Sequence, residues 1–405
     1  MPSSMHNTSS SPDKSTAVEL IFLGTGTSSS VPHVECLTYD PAIHKPCKTC
    51  LSTLTPEGKK NMRRNTGAVL RTKAKDGRSV TIVIDAGKTF QAAALEWFPR
   101  FGLRKIDALL ITHAHADAMN GLDDLRGWTL NGAIQPYIDV YLSQATFTEV
   151  QRSFPYLVSK EFASGGGDVP DFKYHIINDR EAFEIEDTGI EITPFAVHHG
   201  RIFSKVPPPA YVVTPTATLP STPTKSGVSL PSSRQSSPTL EKQTEKEVVR
   251  NTEQGVIHPL LCFGFKIREQ LAYISDVSHI PDHIWEVLRS KRGSASGPLP
   301  ALILDCLRLR PHTSHLGIAE SVGIARRIGA ARTYLTGFSH EVAHEEYITI
   351  TEAVGGGVKD DVQLTESERK GTELIQGGDQ LWVRPAHDGL RLWVGEDNNV
   401  YDESY

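Results

Sequence analysis

Ile106-Asp107-Ala108-Leu109-Leu110-Ile111 is an apolar run of strand length, and it ends in Thr112-His113-Ala114-His115-Ala116-Asp117-Ala118-Met119-Asn120-Gly121. Histidines two apart on an extended segment point to the same side. The run therefore predicts a strand whose end presents two imidazoles and a following carboxylate to one point in space. Neutral imidazole is the commonest ligand for zinc and similar transition metals. A pair of surface histidines near a strand end is the plainer reading. The order strand, His-x-His-x-Asp and Gly121 argues for a metal instead.

The same pattern returns along the chain. Ile190 to Val197 reads as a strand ending at His198-His199-Gly200, and Leu271 to Ser275 as one ending at Asp276. Candidate ligands thus sit at strand ends in both halves: His113, His115 and Asp117, then His199, then Asp276. Further strands are expected over Val18–Leu23, Thr81–Ile84, Ile138–Leu142, Leu260–Phe265, Ala301–Asp305 and Thr333–Thr336. Helices are expected over Phe90–Phe98, Ala145–Phe154, His283–Arg289 and Leu316–Ile328, the last with Ile318, Val322, Ala325 and Ile328 on one face. Leu381–Val383 and Leu390–Val394 read as closing strands around the turn pair Asp388-Gly389. Strands mixed with helices throughout predict an α/β chain with sheets inside and helices outside.

Gly24-Thr25-Gly26-Thr27 follows the first strand, but it lacks the third glycine, the lysine and the helix of a nucleotide loop. Its glycines are read instead as letting the backbone turn beside the site. Cys47-Lys48-Thr49-Cys50 places two thiolates on one tetrahedral metal without strain, and Cys36 supplies a third sulfur upstream. A structural zinc then needs one more ligand; three unrelated buried thiols are the alternative.

At 405 residues the chain has room for one large domain or two ordinary ones. No apolar stretch approaches the roughly 20 residues that span a bilayer. Residues 1–17 are polar and Ser-rich, without the apolar core of a secretory signal, and are expected to be a disordered tail. With five cysteines, an odd number, this suggests a reducing, cytoplasmic or nuclear setting. The net charge of −6 argues against a chain that lives on nucleic acid. From about 207 to 253 the composition turns to Pro, Ser and Thr and then to charge, which cannot bury a core. Strand signals resume at once, so a single domain, 18–405, interrupted by a disordered insertion is expected.

These runs resemble the metallo-β-lactamase superfamily, whose signature is His-x-His-x-Asp-His. Within it, the chain is similar to the cyclic phosphodiesterase of bacterial phosphonate breakdown and its eukaryotic relatives. Five stretches carry that likeness: Gly24-Thr25-Gly26-Thr27 with Val31-Pro32 and Cys36, the Cys47-x-x-Cys50 pair, Tyr273 to Asp276, Leu304-Asp305-Cys306 followed by His315, and Leu335 to His340. The resemblance implies a four-layer αββα sandwich. It implies a first metal on His113, His115, His199 and Asp276, and a second metal reached by Asp117 and Asp276. It also implies a structural zinc on Cys36, Cys47, Cys50 and His340, with His315 as general acid or leaving-group stabiliser. Two positions depart from the family: Ala118 and Gly337 stand where the second metal's histidines would be. One strong catalytic site, for zinc or manganese, is therefore expected, with the second doubtful.

The chemistry expected is hydrolysis. A metal held by three imidazoles and a carboxylate keeps a place for water and brings its pKa from 15.7 towards about 7, giving hydroxide at neutral pH. Asp117 can hold that water and His315 can protonate the departing oxygen. The substrate, a small or cyclic phosphodiester, comes from the resemblance alone. An RNA-processing endonuclease like the tRNA end-processing members is one alternative. A non-catalytic metal-binding scaffold with a vestigial site is the other.

Overall fold

Alternating buried side chains set up two sheets with an apolar layer between them and one on each outer face. The computed structural model describes residues 18–43, 45–165, 168–202, 258–289, 297–357 and 363–405. By density of contacts the chain divides into Met1–Gly200 with Pro259–Tyr405, and Arg201–His258; the site residues discussed below all lie in the first unit. The expected tail at 1–17 and insertion at 207–253 lie outside the described residues.

Sheet one contains β1 (Val18–Gly24), β2 (Gly67–Lys73), β3 (Ser79–Ile84), β4 (Ala108–Leu110), β5 (Ile138–Leu142) and β6 (Phe172–Ile176). Sheet two contains β7 (Phe183–Ile185), β8 (Ile190–Ile202), β9 (His258–Ile267), β10 (Leu271–Ile274), β11 (Ala301–Asp305), β12 (Arg332–Thr336) and β13 (Val383–Pro385). Then β14 (Arg391–Val394) and β15 (Val400–Asp402) return to sheet one. The orders are β15-β14-β1-β2-β3-β4-β5-β6 and β13-β12-β11-β10-β9-β8-β7.

The period of two along each strand decides the layers. Leu20, Phe22, Leu70, Ile82 and Ile84 of sheet one face Ile190, Ile192, Phe265, Tyr273 and Ile303 of sheet two across one shared core. Ile21, Val69 and Val83 turn the other way, onto Phe90, Ala94, Trp97, Phe98 and Phe101. Those five share the helix Phe90–Phe101 at helical spacing, and the helix ends at Gly102, whose φ of 62° is the left-handed cap. On the far side Ile274, Leu302, Leu304 and Leu335 pack under Ile284, Trp285, Ile318, Val322 and Tyr347. Truncating one such aromatic, Trp97→Ala for example, costs about 3–5 kcal/mol. The result is the expected αββα sandwich of metallo-β-lactamase type.

β3, β4 and β5 run parallel, as do β10, β11, β12 and β13. Parallel strands bring their carboxyl ends to one edge, where ligands gather in open α/β sheets. One expectation fails here. Val383–Pro385 and Arg391–Val394 do not pair as a hairpin. The first lies parallel to β12 and the second antiparallel to β1, so Ala386–Leu390 crosses between sheets. Gly389, at φ 78°, turns the chain, while the Asp388 carboxylate accepts from Thr25 Oγ1 and the Arg64 amide. The glycines of Gly24-Thr25-Gly26 serve close approach rather than a turn: a Cβ at Gly24 would lie 2.1 Å from the Asn65 carbonyl oxygen. Among the described residues, no helix is long and apolar enough to cross a membrane.

Candidate metal centres

β4 delivers Thr112 and His113 to the edge, and hydrogen bonds fix which ring nitrogen faces outward. The Thr112 amide and hydroxyl both donate to Asp85, at 2.8 Å each. Having given its proton away, the Thr112 oxygen accepts from His113 Nδ1 at 2.8 Å. That leaves His113 Nε2 as the lone-pair atom. It is buried and has no hydrogen-bond partner. Burial also keeps the ring neutral, pushing its pKa to about 3. At the end of β8, His199 Nδ1 donates to the Ser314 carbonyl at 2.8 Å, which turns Nε2 towards His115 Nδ1, 3.2 Å away.

The three rings form a triangle with centroids 4.6, 4.9 and 5.0 Å apart. One donor atom from each of His113, His115 and His199 lies within 4.8 Å of the others, and the same holds for His199, Asp276 and His315. Burial works against ionisation of Asp276, yet His199, His113 and His315 outweigh it and hold the carboxyl at about 2. Thus five expected site residues converge. Asp117 stands at the rim: burial, and then the Asp276 charge, raise its pKa. An orphaned Nε2 costs about 1–3 kcal/mol when buried. A divalent metal satisfies it, and neutral imidazoles with one ionised carboxylate form a donor set for zinc or manganese. The residues fit the group.

Beside this set, His315 Nδ1 sits 3.0 Å from Asp305 Oδ1 and 3.9 Å from Asp276 Oδ1. Burial disfavours its cation, but the Asp305 charge and hydrogen bond prevail and push it up to about 9. Burial lifts Asp305 only to about 6, so the two form an ion pair at neutral pH. At Gly337 φ is +82°, and a Cβ there would lie 2.7 Å from Asp305 Oδ1. Ala118 is buried.

The cysteine cluster is of another kind. Cys36, Cys47 and Cys50 place sulfur 3.2, 3.7 and 3.5 Å from one atom, His340 Nδ1. A tetrahedron with metal–ligand bonds of about 2.0–2.3 Å has edges of roughly 3.3–3.8 Å, so the four donors fit a zinc. Cys47 caps the helix Lys48–Ser52 by accepting from the Cys50 amide, which fixes the Cys-x-x-Cys spacing. Arg63, buried, donates to the carbonyls of Ser339 and Val342 and so fastens the segment carrying His340. His33 stacks on His340 with centroids 3.9 Å apart.

Reading by motif passed over Asp85, Thr112 and Asp305 as functional positions. The signal was present: each is a polar residue closing an apolar strand, where a buried carboxylate needs partners. Arg63 carried no such sign, because its carbonyl partners lie far along the chain.

This constellation and sandwich define a metallo-β-lactamase-fold protein with the donor set of a metal-dependent hydrolase. The family model of the beta-lactamase superfamily domain matches residues 80–218, which include His113, His115 and His199. The chain thus has the metallo-β-lactamase fold, and over those residues it matches the superfamily's model. The crystal structure of a diphosphatase from the PhnP family is similar with a TM-score of 0.55 and 24% identity, covering 93% of this chain and 97% of that one. The metallo-β-lactamase fold protein YhfI from Bacillus subtilis follows with a TM-score of 0.50 and 12% identity, covering 93% and 99%. A curated protein of Porphyromonas gingivalis, strain ATCC BAA-308 / W83, named octanoyltransferase, is 25% identical over 332 residues, 82% of this chain and 48% of its own. The chain thus spans about half the length of that relative.

Proposed function

We propose that the chain hydrolyses a small or cyclic phosphodiester at the histidine–aspartate centre, with one strong catalytic metal site and a structural zinc. The observation that carries the reading is the His315–Asp305 pair beside the donor set. A phosphoryl centre needs a proton for its departing oxygen, and an imidazolium held by a buried carboxylate is built to give one. The diphosphatase of similar fold is named for a reaction at the same kind of anionic phosphorus centre.

A divalent metal on His113, His115, His199 and Asp276 supplies Lewis acidity and lowers the pKa of water at the site. The protein's own groups do the rest. Thr112 and Ser314 fix the tautomers of His113 and His199. Asp117 takes up the proton that the attacking water releases as its oxygen bonds to phosphorus. His315, with Nδ1 committed to Asp305, gives its Nε2 proton to the leaving oxygen as the phosphorus–oxygen bond breaks. Solvent returns the two groups to their starting states. The single strong site is supported by Ala118, which brings no donor, and by Gly337, whose backbone and Asp305 neighbour disfavour a larger side chain.

The test is hydrolysis of a bis-aryl phosphodiester and of cyclic nucleotides by wild type and His315→Gln. The reading expects turnover, with the variant losing about 10²–10⁴-fold in kcat and losing most where the leaving group is poor. No turnover on any phosphodiester by metal-replete protein would favour the scaffold instead.

A further inference from the structure

The outer face of sheet one is only partly covered. Ile21, Val69 and Val83 pack under the helix Phe90–Phe101, which stops at Phe101. Beyond that end, on the same face by the period of two, the strands carry charge instead. Glu19 lies opposite Arg71 on one side and Trp393 on the other, Lys73 opposite Ser79, and Arg391 opposite Ile21. Arg71, Lys73, Arg391, Glu19, Ser79 and Trp393 line a cleft of about 220 Å³. Glu19 is buried and accepts from Nε of both Arg71 and Arg391. Arg71 Nη1 donates to the Phe101 carbonyl at 3.0 Å, and Arg391 Nη1 to Glu403 at 3.4 Å. Arg391 also lies over the Phe101 and Trp393 rings, 5.4 and 4.5 Å from their centroids. Both guanidiniums are therefore held at Nε and Nη1, and Nη2 of each has no acceptor among the described residues. An ion triad of this sort stabilises a fold no better than apolar packing would. Here it fixes two forks in place without using up their donors.

We propose that this cleft binds a phosphate dianion, either the free ion or the terminal monoester of a larger ligand. Three cations stand against one buried carboxylate, with exposed Glu403 at the rim, so the cleft holds a surplus of positive charge. Guanidinium forks match the spacing of phosphate oxygens, and a lysine adds a point charge beside them. Because Glu19 has already ordered the arginines, little side-chain entropy is left to lose on binding. The cleft is smaller than the roughly 300–1,000 Å³ of pockets that enclose a drug-sized ligand, which suits it to one ionic group. It also stands apart from the metal centres. β1 reaches the catalytic edge at Gly24, and Glu19 lies near its other end, roughly 16 Å back along the strand. An occupant of this cleft is a peripheral ligand, distinct from whatever the histidine–aspartate centre takes.

The experiment compares full-length, metal-replete wild type with the double variant Arg71→Gln/Lys73→Gln, in which Glu19 keeps Arg391 as its partner. Each is titrated by calorimetry with inorganic phosphate and, separately, with adenosine 5′-monophosphate, at an ionic strength fixed with chloride. Circular dichroism and unchanged metal content confirm that the variant is folded. A metal centre also attracts phosphate, so the readout is the difference between the two proteins. The site predicts that wild type binds one phosphate more per chain than the variant. Loss of both ligands in the variant identifies a phosphate group in general, and loss of inorganic phosphate alone identifies the free ion. Equal binding of both ligands by the two folded proteins overturns the proposal. Should the double variant not fold, Lys73→Gln alone, a change at a partly exposed side chain, must weaken phosphate binding by threefold or more; unchanged affinity would equally overturn it.

Discussion

The cysteine cluster and the histidine–aspartate centre are both four-donor sets, yet they are built for opposite ends. The first takes three donors from one short segment and the fourth from 290 or more residues away, and two of its sulfurs also accept from the backbone amides of His33 and Cys50. It is closed, so a metal held there would only tie the loop to the segment after β12. The second draws on three strand ends, those of β4, β8 and β10, leaves His113 Nε2 without a protein partner, and is flanked by His315 and Asp117. Structural zinc sites are closed, whereas catalytic ones keep a position open. The fold applies that distinction through where donors come from: a loop and a clasp in one case, strand ends around a cleft in the other.

Removing one donor from each set breaks the comparison most sharply. Asp276→Ala or His113→Ala should reduce hydrolysis to background with the fold intact by circular dichroism, since these side chains stand at loop ends. Cys50→Ser should do the reverse: release one zinc and lower the melting temperature by roughly 5 °C or more, each kcal/mol being worth about 2 °C at most in a chain of this size. An unchanged melting temperature would make the thiols ordinary core residues.

The next effect separates positioning from ligation. Asp305→Asn removes the charge that keeps His315 protonated. The alkaline limb of the kcat–pH profile should move to lower pH, with metal content unchanged; a profile that stays in place would remove His315 from proton transfer. Smaller again is the gain from Ala118→His. A single donor added at a buried position should raise metal content only slightly. Gly337→His should not help, because its Cβ meets Asp305 and its φ suits glycine.

The smallest effect lies away from both centres. Burial holds His344 well below its ordinary value and brings His387 to about 4 from 6.5. Between those two values the unfolded chain binds more protons than the folded one. Stability is therefore complete above about pH 6.5 and declines as the pH falls towards 4. His387→Gln should flatten that decline in melting temperature, and an equal slope in the variant would deny it.

The candidate donor positions were legible because each strand run stops at a donor: Ile111 before the His113 pair, Val197 before His198-His199, Ser275 before Asp276. The paired thiols were legible by spacing. What could not be read was partnership over distance. β2 escaped notice because Ala68-Val69-Leu70 is a short apolar core between a loop and cations. β6, Phe172-Lys173-Tyr174-His175-Ile176, mixes rings with charges at an edge. Asp388-Gly389 has the chemistry of a hairpin, but turn residues specify a change of direction, not which sheet receives the next strand. The 2.8 Å contacts from Asp85 to Thr112 and from Thr112 to His113 likewise depend on β3 lying beside β4.

The central claim is one closed structural site and one open catalytic site in a single chain. Metal content per chain tests it most directly, measured by elemental analysis after exhaustive dialysis against metal-free buffer, for wild type, His113→Ala and Cys50→Ser. Two metals in wild type, and one in each variant, is the predicted result. Three retained metals in wild type, or a His113→Ala protein that holds as many as wild type, would contradict it.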